Sequence, residues 1–318
     1  MAQAKGVCSQ VVIDFETTYG SDPGSVAGIK MPFNTFSLRA NRNVIEPATI
    51  RGIRSPAMPS FGNLDVSGPA VVPIDQIAIG YWLKALLGAP DTSGTEAPYT
   101  HVYTIGSCSD DIPSMVVDLG FTDITKYLKF NGVKIDGFSI TAGGDEELTA
   151  NLDLIGANET SGASAYDSDP TELTFSRFNN FQASLKEGGS EITNVQEVTI
   201  NIRNNLDPTC YYVSGNGIRG ALPSGLCSVN GSIKAFFENL TLYNKAINTT
   251  ESSLELTFTS GSYSLKIMLN ELKYQQSGIE VSTTGGIYVE LPFKAYYQDH
   301  ADATVVKITL VNSHASYA

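Results

Sequence analysis

Three stretches of the chain alternate apolar and polar residues with a period of two, and this pattern constrains the fold more than any other feature. They cover residues 147–153, 197–203 and 251–259. A period of two is typical of β-strands that bury one face and expose the other. The exposed positions carry acidic and other polar side chains, so the pattern predicts strand-built walls with a polar outer surface. It does not indicate a catalytic cleft.

The composition is that of a globular protein with an acidic surface. Of 318 residues, 42% are hydrophobic and 17% are charged, and 33 acidic residues against 20 basic ones give a formal net charge of −13. This length allows one large β domain or two smaller ones. A negative surface repels nucleic-acid phosphates and anionic membranes, which argues against tight DNA binding but leaves passive contact with DNA open.

The sequence lacks the signals of a membrane, secreted or metal-binding protein. No apolar run has the length of a transmembrane helix, and the first residues lack the apolar stretch of a secretory signal, so we expect folding in a cytoplasm without membrane insertion. The cysteines show no Cys-x-x-Cys pair and no histidine at metal-ligand spacing, which predicts no cofactor. Free thiols are favoured over a Cys210–Cys227 bridge in a reducing compartment. The four cysteines are Cys8, Cys108, Cys210 and Cys227.

Residues 19–68 are rich in Gly, Pro, Ser and Asn, and repeated prolines interrupt any regular element. We therefore expect an N-terminal arm and long loop over residues 1–68, a β domain over 69–311 and a C-terminal tail over 312–318. A long irregular segment of this kind can pack on a neighbouring subunit, with a solvated loop as the alternative. Its basic cluster suggests contacts between subunits in an otherwise acidic chain. The candidates are Arg39, Arg42, Arg51 and Arg54.

One amphipathic helix is predicted over residues 74–87. Apolar residues recur there at helical spacing, Pro73 suits the first turn, and Gly88 supplies a stop. We expect this helix to cover one sheet face through Ile77, Tyr81 and Trp82, in the core or in a subunit contact.

From residue 113 onward, short strands alternate with turn signals, which predicts hairpins and a mainly β fold. A second short helix is predicted over residues 236–246. A weak internal echo suggests two similar halves, because Ile-Arg-Gly and Val-x-Gly tripeptides precede both predicted helices, at 50–52 and 66–68 and again at 218–220 and 229–231. The turn signals include the pairs 131–132, 143–144, 188–189, 216–217, 230–231, 260–261 and 285–286.

One segment has an enzyme-like pattern. Asp14 and Glu16, two residues apart on a predicted strand, resemble the first motif of DEDD-type 3′–5′ exonucleases, whose carboxylates hold two divalent ions. The further carboxylate motifs of that family are missing at the required spacing, and its alternating strands and long helices do not match residues 113–311. We therefore expect a protein that is not an enzyme.

Many short motifs follow one another along almost the whole chain, and none of them is diagnostic alone. They are residues 16–20, 81–88, 99–103, 113–115, 132–135, 155–156, 202–205, 229–233, 236–237, 242–243, 293–297 and 308–310. In this order, they resemble the tail tube proteins of long, flexible-tailed bacteriophages.

The resemblance implies a β-sandwich with a flanking helix that assembles into hexameric rings with a continuous inner β-barrel. The rings stack into a tube, the conduit for the genome and the tape-measure protein, in a virion tail assembled in the host cytoplasm. Other implied partners are the tail terminator and the distal tail or baseplate proteins. The terminal segments and the 19–68 segment are the candidates for bridging subunits or rings, and part of the second half is a candidate decorating subdomain.

An acidic lumen would let DNA pass without holding it, because a duplex carries about one negative charge per 1.7 Å of axis. For each candidate the alternative is that it faces outside solvent. A β-sandwich adhesin, decoration protein or tail-tip protein would show the same strands and acidity. The candidates for lumen-facing carboxylates are Asp145, Glu146, Glu147, Asp153, Glu197 and Glu255.

Overall fold

The computed structural model describes residues 3–107, 110–279 and 285–317 and shows a mainly β protein with two α-helices. Cys108 and the ends of both expected terminal segments, residues 1–2 and 318, lie outside the described residues. The helices are α1 (Ala78–Leu87) and α2 (Thr241–Ile247), and two short 3₁₀ turns cover Gly6–Cys8 and Asn180–Gln182.

The strands fall into two series along the chain. The first series is β1 (Ser9–Phe15), β2 (Ile29–Met31), β3 (Thr35–Phe36), β4 (Arg39–Ile45), β5 (Ser60–Pro73), β6 (Asp91–Ser93), β7 (Tyr99–Thr104), β8 (Met115–Phe121), β9 (Lys126–Gly143), β10 (Thr149–Gly156) and β11 (Asn158–Gly162). The second series is β12 (Thr171–Glu172), β13 (Ala183–Glu187), β14 (Ser190–Glu191), β15 (Val195–Arg203), β16 (Ser228–Phe236), β17 (Glu251–Ser260), β18 (Tyr263–Tyr274), β19 (Tyr288–Ala295) and β20 (Lys307–Asn312).

The three alternating stretches of the sequence are strands, as predicted. They correspond to β10, β15 and β17, and in each of them buried and less buried residues alternate. Leu152 of β10, Ile200 of β15 and Leu256 of β17 are all buried in one hydrophobic core. The period-two pattern therefore identified both the element type and the face that packs on the core.

The prediction of an irregular arm over residues 19–68 is wrong for its second half. β4 and β5 form an antiparallel hairpin in which Arg39 pairs with Ser67 and Arg42 with Leu64. Most side chains of β4 are exposed, so its sequence lacks the apolar alternation that would have identified a strand. Only the connection between the two strands, residues 46–59, is irregular.

The first helix begins four residues later than predicted. Ile74 continues the extended chain after β5, and its amide donates to Leu148 O at 3.1 Å. The buried carboxylate of Asp75 then accepts hydrogen bonds from the amides of Ala78 and Ile79, so the helix begins where those amides are satisfied. The predicted end is confirmed, because Gly88 follows the last helical residue with φ of 102°. The second helix is also shorter than predicted, since Phe236 is the last residue of β16.

Two predicted turns lie inside strands. Gly132 lies within β9, where φ of 64° bends the strand between two sets of partners. β9 pairs with β8 and β11 before this bend, and with β10 and β15 after it. Gly231 lies in the middle of β16. A glycine is needed there because a Cβ would lie 1.9 Å from Thr199 O on the neighbouring strand. Both glycines are required by close packing and not by hairpin turns.

The sheet order that positions the candidate site runs β4, β5, β10, β9, β15, β16, β19, β18, with each strand antiparallel to the next. α1 packs on β9 and β7, and its buried side chains join the core cluster. Within the described part of the chain this sheet does not close into a barrel.

Candidate functional site

The side of the sheet that faces away from the core carries a continuous row of polar residues, which we call the polar face. Asn151 of β10 pairs with Ser139 of β9, which pairs in turn with Asn201 of β15. Asn201 pairs with Asn230 of β16, and Asn230 pairs with Lys294 of β19. The side chains of Asn201 and Asn230 are in hydrogen-bonding contact at 3.4 Å. Five neighbouring strands thus present polar groups at one level.

A second row of the polar face consists of hydroxyl groups. Thr141 of β9 pairs with Thr199 of β15, and their hydroxyl oxygens lie 3.1 Å apart. Thr199 pairs in turn with Ser232 of β16. These side chains hydrogen-bond with water and with each other but carry no charge.

The charges on the polar face are of both signs. The Arg203 guanidinium at the end of β15 donates to Asp153 at 2.7 Å and to Asp136 at 3.0 Å. Lys234 of β16 lies 5.2 Å from the ring centre of Tyr288, over its face. The two ion pairs neutralise Arg203, and Lys234 pairs in register with Glu197 and Glu290, so carboxylates accompany both of these cations.

Two of the predicted lumen carboxylates, Asp153 and Glu197, lie on the polar face. They belong to β10 and β15, which are separated in the sheet by β9. Asp145, Glu146 and Glu147 lie together in the connection between β9 and β10, and all three are exposed.

Two acidic candidates away from the rows, Glu147 and Glu255, are held by partners. Glu147 accepts hydrogen bonds from Arg177 at 2.5 Å and from Asn34 at 2.7 Å. Glu255 lies on β17, four strands away from β15 in the sheet order, between Lys186 at 3.0 Å and Lys266 at 3.3 Å. Burial opposes the ionised form of Glu255, but its two lysine partners hold the pKa of that carboxyl below its usual value. The structure therefore does not bring Glu255 beside Asp153 or Glu197.

The four predicted contact arginines divide into two pairs. Arg39 and Arg42 are exposed on β4, at the free side of the β4–β5 hairpin. Arg51 and Arg54 lie in the connection at the far end of the hairpin, where Arg51 donates to Ser55 O and Pro56 O. The same connection and the strand ends beside it expose large apolar side chains. These are Val44, Ile45, Ile50, Ile53, Met58 and Phe61.

The predicted helix residues pack inside this chain. Trp82 is almost fully buried in the core, and Tyr81 is buried against the C-terminal segment, with its hydroxyl 2.9 Å from His314 Nε2. Ile77 precedes the first helical residue and is only half-buried. Tyr81 and Trp82 therefore belong to the hydrophobic core of this chain, whereas Ile77 does not.

The C-terminal residues fold back onto α1 instead of extending away. The Tyr317 ring packs against Gly80, where a Cβ would lie 2.2 Å from the ring, and its hydroxyl donates to Ile77 O at 2.8 Å. His101, on β7, bonds His314 O through Nε2 at 2.9 Å. Residues 313–317 are therefore part of the fold of this chain.

Asp14 and Glu16 are structural acceptors. Asp14 accepts from the Ala27 amide and the Tyr166 hydroxyl. Glu16 accepts from the Gly132 amide at 2.8 Å and from the Ser114 hydroxyl at 2.7 Å. Within residues 3–107, 110–279 and 285–317, no group of three or more His, Cys, Asp or Glu side chains could hold a metal ion. Cys8, Cys210 and Cys227 are free thiols, as expected.

One buried cation was missed by the sequence analysis. Arg219, in the connection between β15 and β16, is only 2% exposed. It donates to Pro208 O at 2.7 Å and to Asp65 at 2.7 Å, and it also bonds Gly156 O. It thereby holds the β15–β16 connection on β5 and β10. The Ile-Arg-Gly echo contained this residue, but nothing in the local sequence distinguished it from an exposed loop arginine.

The fold and its surfaces define a strand-built structural protein with a polar sheet face and a projecting apolar hairpin. The family model for phage tail tube proteins matches residues 6–295. The chain therefore belongs to the phage tail tube protein family and is a structural component of a phage tail, as the resemblance had implied. No curated protein matches the chain. In the part of the chain that the structure describes, no helix has the length and apolar content to span a bilayer.

Proposed function

We propose that the chain polymerises as stacked rings into the tail tube of a siphovirus-type phage. The polar face lines the lumen, through which the genome and the tape-measure protein pass. Family membership supports the structural role. The observation that carries the lumen assignment is the polar row across five strands, from Asn151 to Lys294.

The chemistry of this face suits a passage that does not retain DNA. A basic wall would hold a duplex through many phosphates at once, because these follow one another at about 1.7 Å along the axis. Here Arg203 is paired with two carboxylates, and the two rows consist of amides and hydroxyls except for Lys294 at the β19 end. Charge effects act only near the wall, since screening limits them to roughly 8 Å at physiological ionic strength. Asp145, Glu146, Glu147, Asp153 and Glu197 are the lumen carboxylates of this proposal.

The β4–β5 hairpin is the proposed contact between rings. Its end combines Arg51 and Arg54 with exposed apolar side chains such as Ile50, which is 96% exposed. Exposed apolar clusters with a basic residue beside them are typical of protein interaction sites. Acidic surfaces elsewhere on the chain supply the complementary charge, with a net charge of −13.

The assembled tube would also contact the tape-measure protein inside and the tail terminator and distal tail or baseplate proteins at its ends. These partners are proposed from the family alone. Assembly would take place in the host bacterial cytoplasm.

Negative-stain electron microscopy of the purified full chain tests the tube. We expect hollow filaments of uniform width, whereas a decoration, adhesin or tail-tip protein would give none. A chain that remains monomeric by light scattering at high concentration would contradict the proposal.

Charge reversal tests the contact between rings. The double variant Arg51→Glu, Arg54→Glu should shorten or abolish tubes, because it replaces two positive charges at the hairpin end by two negative ones, a change of four units. The matched control is Lys5→Glu, Lys126→Glu. It makes the same charge change at two exposed residues, Lys5 near the N-terminus and Lys126 at the start of β9. Equal tube lengths for both double variants would remove Arg51 and Arg54 from the contact.

Charge reversal also tests the lumen. Asp153→Lys, Glu197→Lys would make the polar face basic, so tubes should still form but DNA ejection from phage carrying the variant should slow. The control is Glu172→Lys, Glu191→Lys, at exposed positions on β12 and β14. Ejection followed by DNA release in the presence of a DNA-binding dye should be slowed only by the first variant. Equal rates would place these two carboxylates outside the lumen.

A further inference from the structure

The chain contains the same arrangement of strands twice. In the first half β1 pairs with β8, β8 with β9, β9 with β10, and β10 with β5, which leads into α1. In the second half β13 pairs with β17, β17 with β18, β18 with β19, and β19 with β16, which leads into α2. In addition, β4 pairs with β5 as β15 pairs with β16, and β11 pairs with β9 as β20 pairs with β18. Eight elements thus recur in the same chain order, and we call the two sets the duplicated units.

Irregularities in the strands recur at the same places. β8 has a bulge against β9 between Met115 and Val117, and β17 has a bulge against β18 between Ser252 and Leu254. In each unit the partner on the long strand shifts by three residues at this bulge, from Val133 to Phe130 in β9 and from Leu272 to Leu269 in β18. A bulge is a specific local feature, so its recurrence indicates equivalent positions and not a general similarity of β-sheets.

Two glycines make the same close contact in both units. A Cβ on Gly68 of β5 would lie 2.2 Å from Ser37 O, and one on Gly231 of β16 would lie 1.9 Å from Thr199 O. Ser37 and Thr199 occupy equivalent positions, because Arg39 pairs with Ser67 as Asn201 pairs with Asn230. The Val-x-Gly echo of the sequence therefore reflects one packing requirement that occurs twice.

Inside the chain, the two units are joined by strand pairing. The second half of β9 pairs with β15, with Ile140 opposite Ile200 and Ser139 opposite Asn201. This pairing makes the polar row continuous from one unit to the next. Each unit has a second edge, equivalent to the one used by the other unit in this junction.

At the outer ends, the equivalent edges are not paired with a further strand among the described residues. The counterpart of β15 is the β3–β4 segment, whose only strand partner is β5. The counterpart of the second half of β9 is the chain after β18, residues 276–279. The amide of Ala40 on the β4 edge is occupied by a single side chain, the carboxylate of Glu159 at 3.2 Å. Such an edge is a template for pairing with another chain, and a lone carboxylate can be displaced.

We infer that residues 38–41 of one copy pair antiparallel with residues 276–279 of a second copy, and that three copies close a ring of six duplicated units. The inference rests on the proposed tube function. The register follows from the internal junction and places Leu38 opposite Ile279 and Arg39 opposite Gly278. The resemblance implied six chains in a ring, whereas a duplicated chain supplies two units and needs only three copies.

The contact beside this edge is also complementary. In the internal junction, Asn204 follows β15 and donates to Leu86 O at the end of α1 at 2.9 Å. The residue of the first unit equivalent to Asn204 is Arg42, which would reach the last turn of α2 in the neighbouring copy. A cation is favourable at the C-terminal end of a helix, where carbonyl groups lack amide partners.

The closed sheet would have a suitable width. Eight strands of each chain belong to the sheet that carries the polar face, so three copies supply 24. At a strand spacing of about 4.8 Å and a tilt of about 40°, such a barrel measures roughly 48 Å across its backbone. A bore of this size admits a DNA duplex after side chains are allowed for.

Cryo-electron microscopy of the full chain counts the copies. We expect three chains per ring with six-fold pseudo-symmetry, and native mass spectrometry of isolated rings should give about 102 kDa, three times the chain mass of 34.0 kDa. Six chains per ring would overturn the inference and leave the tube standing. Three-chain rings that do not stack would support the inference and contradict the tube. A strictly monomeric chain would overturn both.

Disulfide crosslinking tests the register. Arg39→Cys, Gly278→Cys should give covalent oligomers that end at three chains under oxidation, and a Cβ at Gly278 meets no atom within 4 Å. Each single variant reports the background of the native thiols, and Arg39→Cys, Lys266→Cys is an out-of-register control. A ladder that continues to six chains, or the same products from the control pair, would overturn the inference. Rings of three without this crosslink would overturn the proposed register.

Discussion

The two duplicated units differ most in one connection, which joins β4 to β5 in the first unit and β15 to β16 in the second. In the first unit, residues 46–59 extend from the β4–β5 hairpin with exposed apolar side chains, Ile50 among them. In the second unit, residues 204–227 fold back on the first unit, where Arg219 bonds the backbone of Gly156 and the carboxylate of Asp65. The same place in the topology thus serves in one unit as an internal clamp and in the other as a free projection.

The helices show the same contrast. α1 is buried along nearly its whole length, under the C-terminal residues and beside the β15–β16 connection. α2 is shorter and buries only Ala246. Since α1 is covered partly by the second unit, a next copy would cover α2 in the same way. The helices therefore differ in burial because only the junction that covers α1 is formed inside one chain.

Truncation in the two helices should give the largest difference. Leu83→Ala in α1 should lower the free energy of unfolding by about 3 to 4 kcal/mol, because it leaves a cavity in the core, where Leu83 is 1% exposed. Ile247→Ala in α2, at 46% exposure, should cost less than about 1 kcal/mol in the unassembled chain. Urea unfolding at low protein concentration measures both. Equal losses would mean that α2 is packed as tightly as α1.

The two echoing arginines should also behave differently. Arg219→Met should destabilise the chain by about 3 kcal/mol, because it leaves buried carbonyl groups without a donor. Arg51→Met, in the matching Ile-Arg-Gly tripeptide, should change the free energy of unfolding by about 0.5 kcal/mol or less. Chemical denaturation distinguishes them, and a large loss for Arg51→Met would show that the hairpin end packs on its own chain.

Gly68 and Gly231 test whether the backbone at the β3–β4 edge shifts more easily than the backbone of a central strand. Gly231→Ala should cost about 2 kcal/mol, because Thr199 lies on a strand held from both sides and cannot move away. Gly68→Ala should cost about 1 kcal/mol in the free chain, because Ser37 lies beside the β4 edge and can shift. Thermal unfolding of the two variants gives the order. A larger loss for Gly68→Ala would contradict a free edge at β3–β4.

The smallest expected effect concerns pH and the segment on α1, which has no counterpart on α2. Burial lowers the pKa of both His101 and His314 below the ordinary value. The unfolded chain therefore binds more protons as the pH falls below about 6.5, and stability decreases until the lowered folded pKa values are passed. His101→Gln, His314→Gln should flatten this decrease in melting temperature between pH 7.5 and 5.5.

Asp75 provides the internal contrast for that measurement. Burial raises the pKa of this carboxyl, opposed by the amide hydrogen bonds from α1, so its protonation in the folded state acts in the opposite direction as the pH falls. Comparison of the histidine variant with the unchanged chain removes this contribution from both curves. Identical pH curves would show that the histidines do not couple to folding.

Much of the strand pattern could be predicted from the sequence because alternation is a local property. β10, β15 and β17 each bury one face, and the acidic residues Asp153 and Glu197 stand on the other. The β4 strand was missed because a strand with both faces exposed has no alternation to detect. Glu255 satisfied the same pattern as Asp153, but the pattern holds no information on which strands become neighbours.

The sequence by itself determined the strand faces, the end of α1 at Gly88 and the family, since these depend on residue type and order along the chain. Only the tertiary structure decided that β15 pairs with β9, that Arg219 is buried between the two units, and that Gly132 and Gly231 lie within strands. The physical reason is that strand pairing joins residues far apart in sequence, so each strand's role depends on the backbone that meets it. The duplicated topology makes this visible, because β15 pairs with β9 whereas the equivalent β3–β4 segment has no such pairing among the described residues.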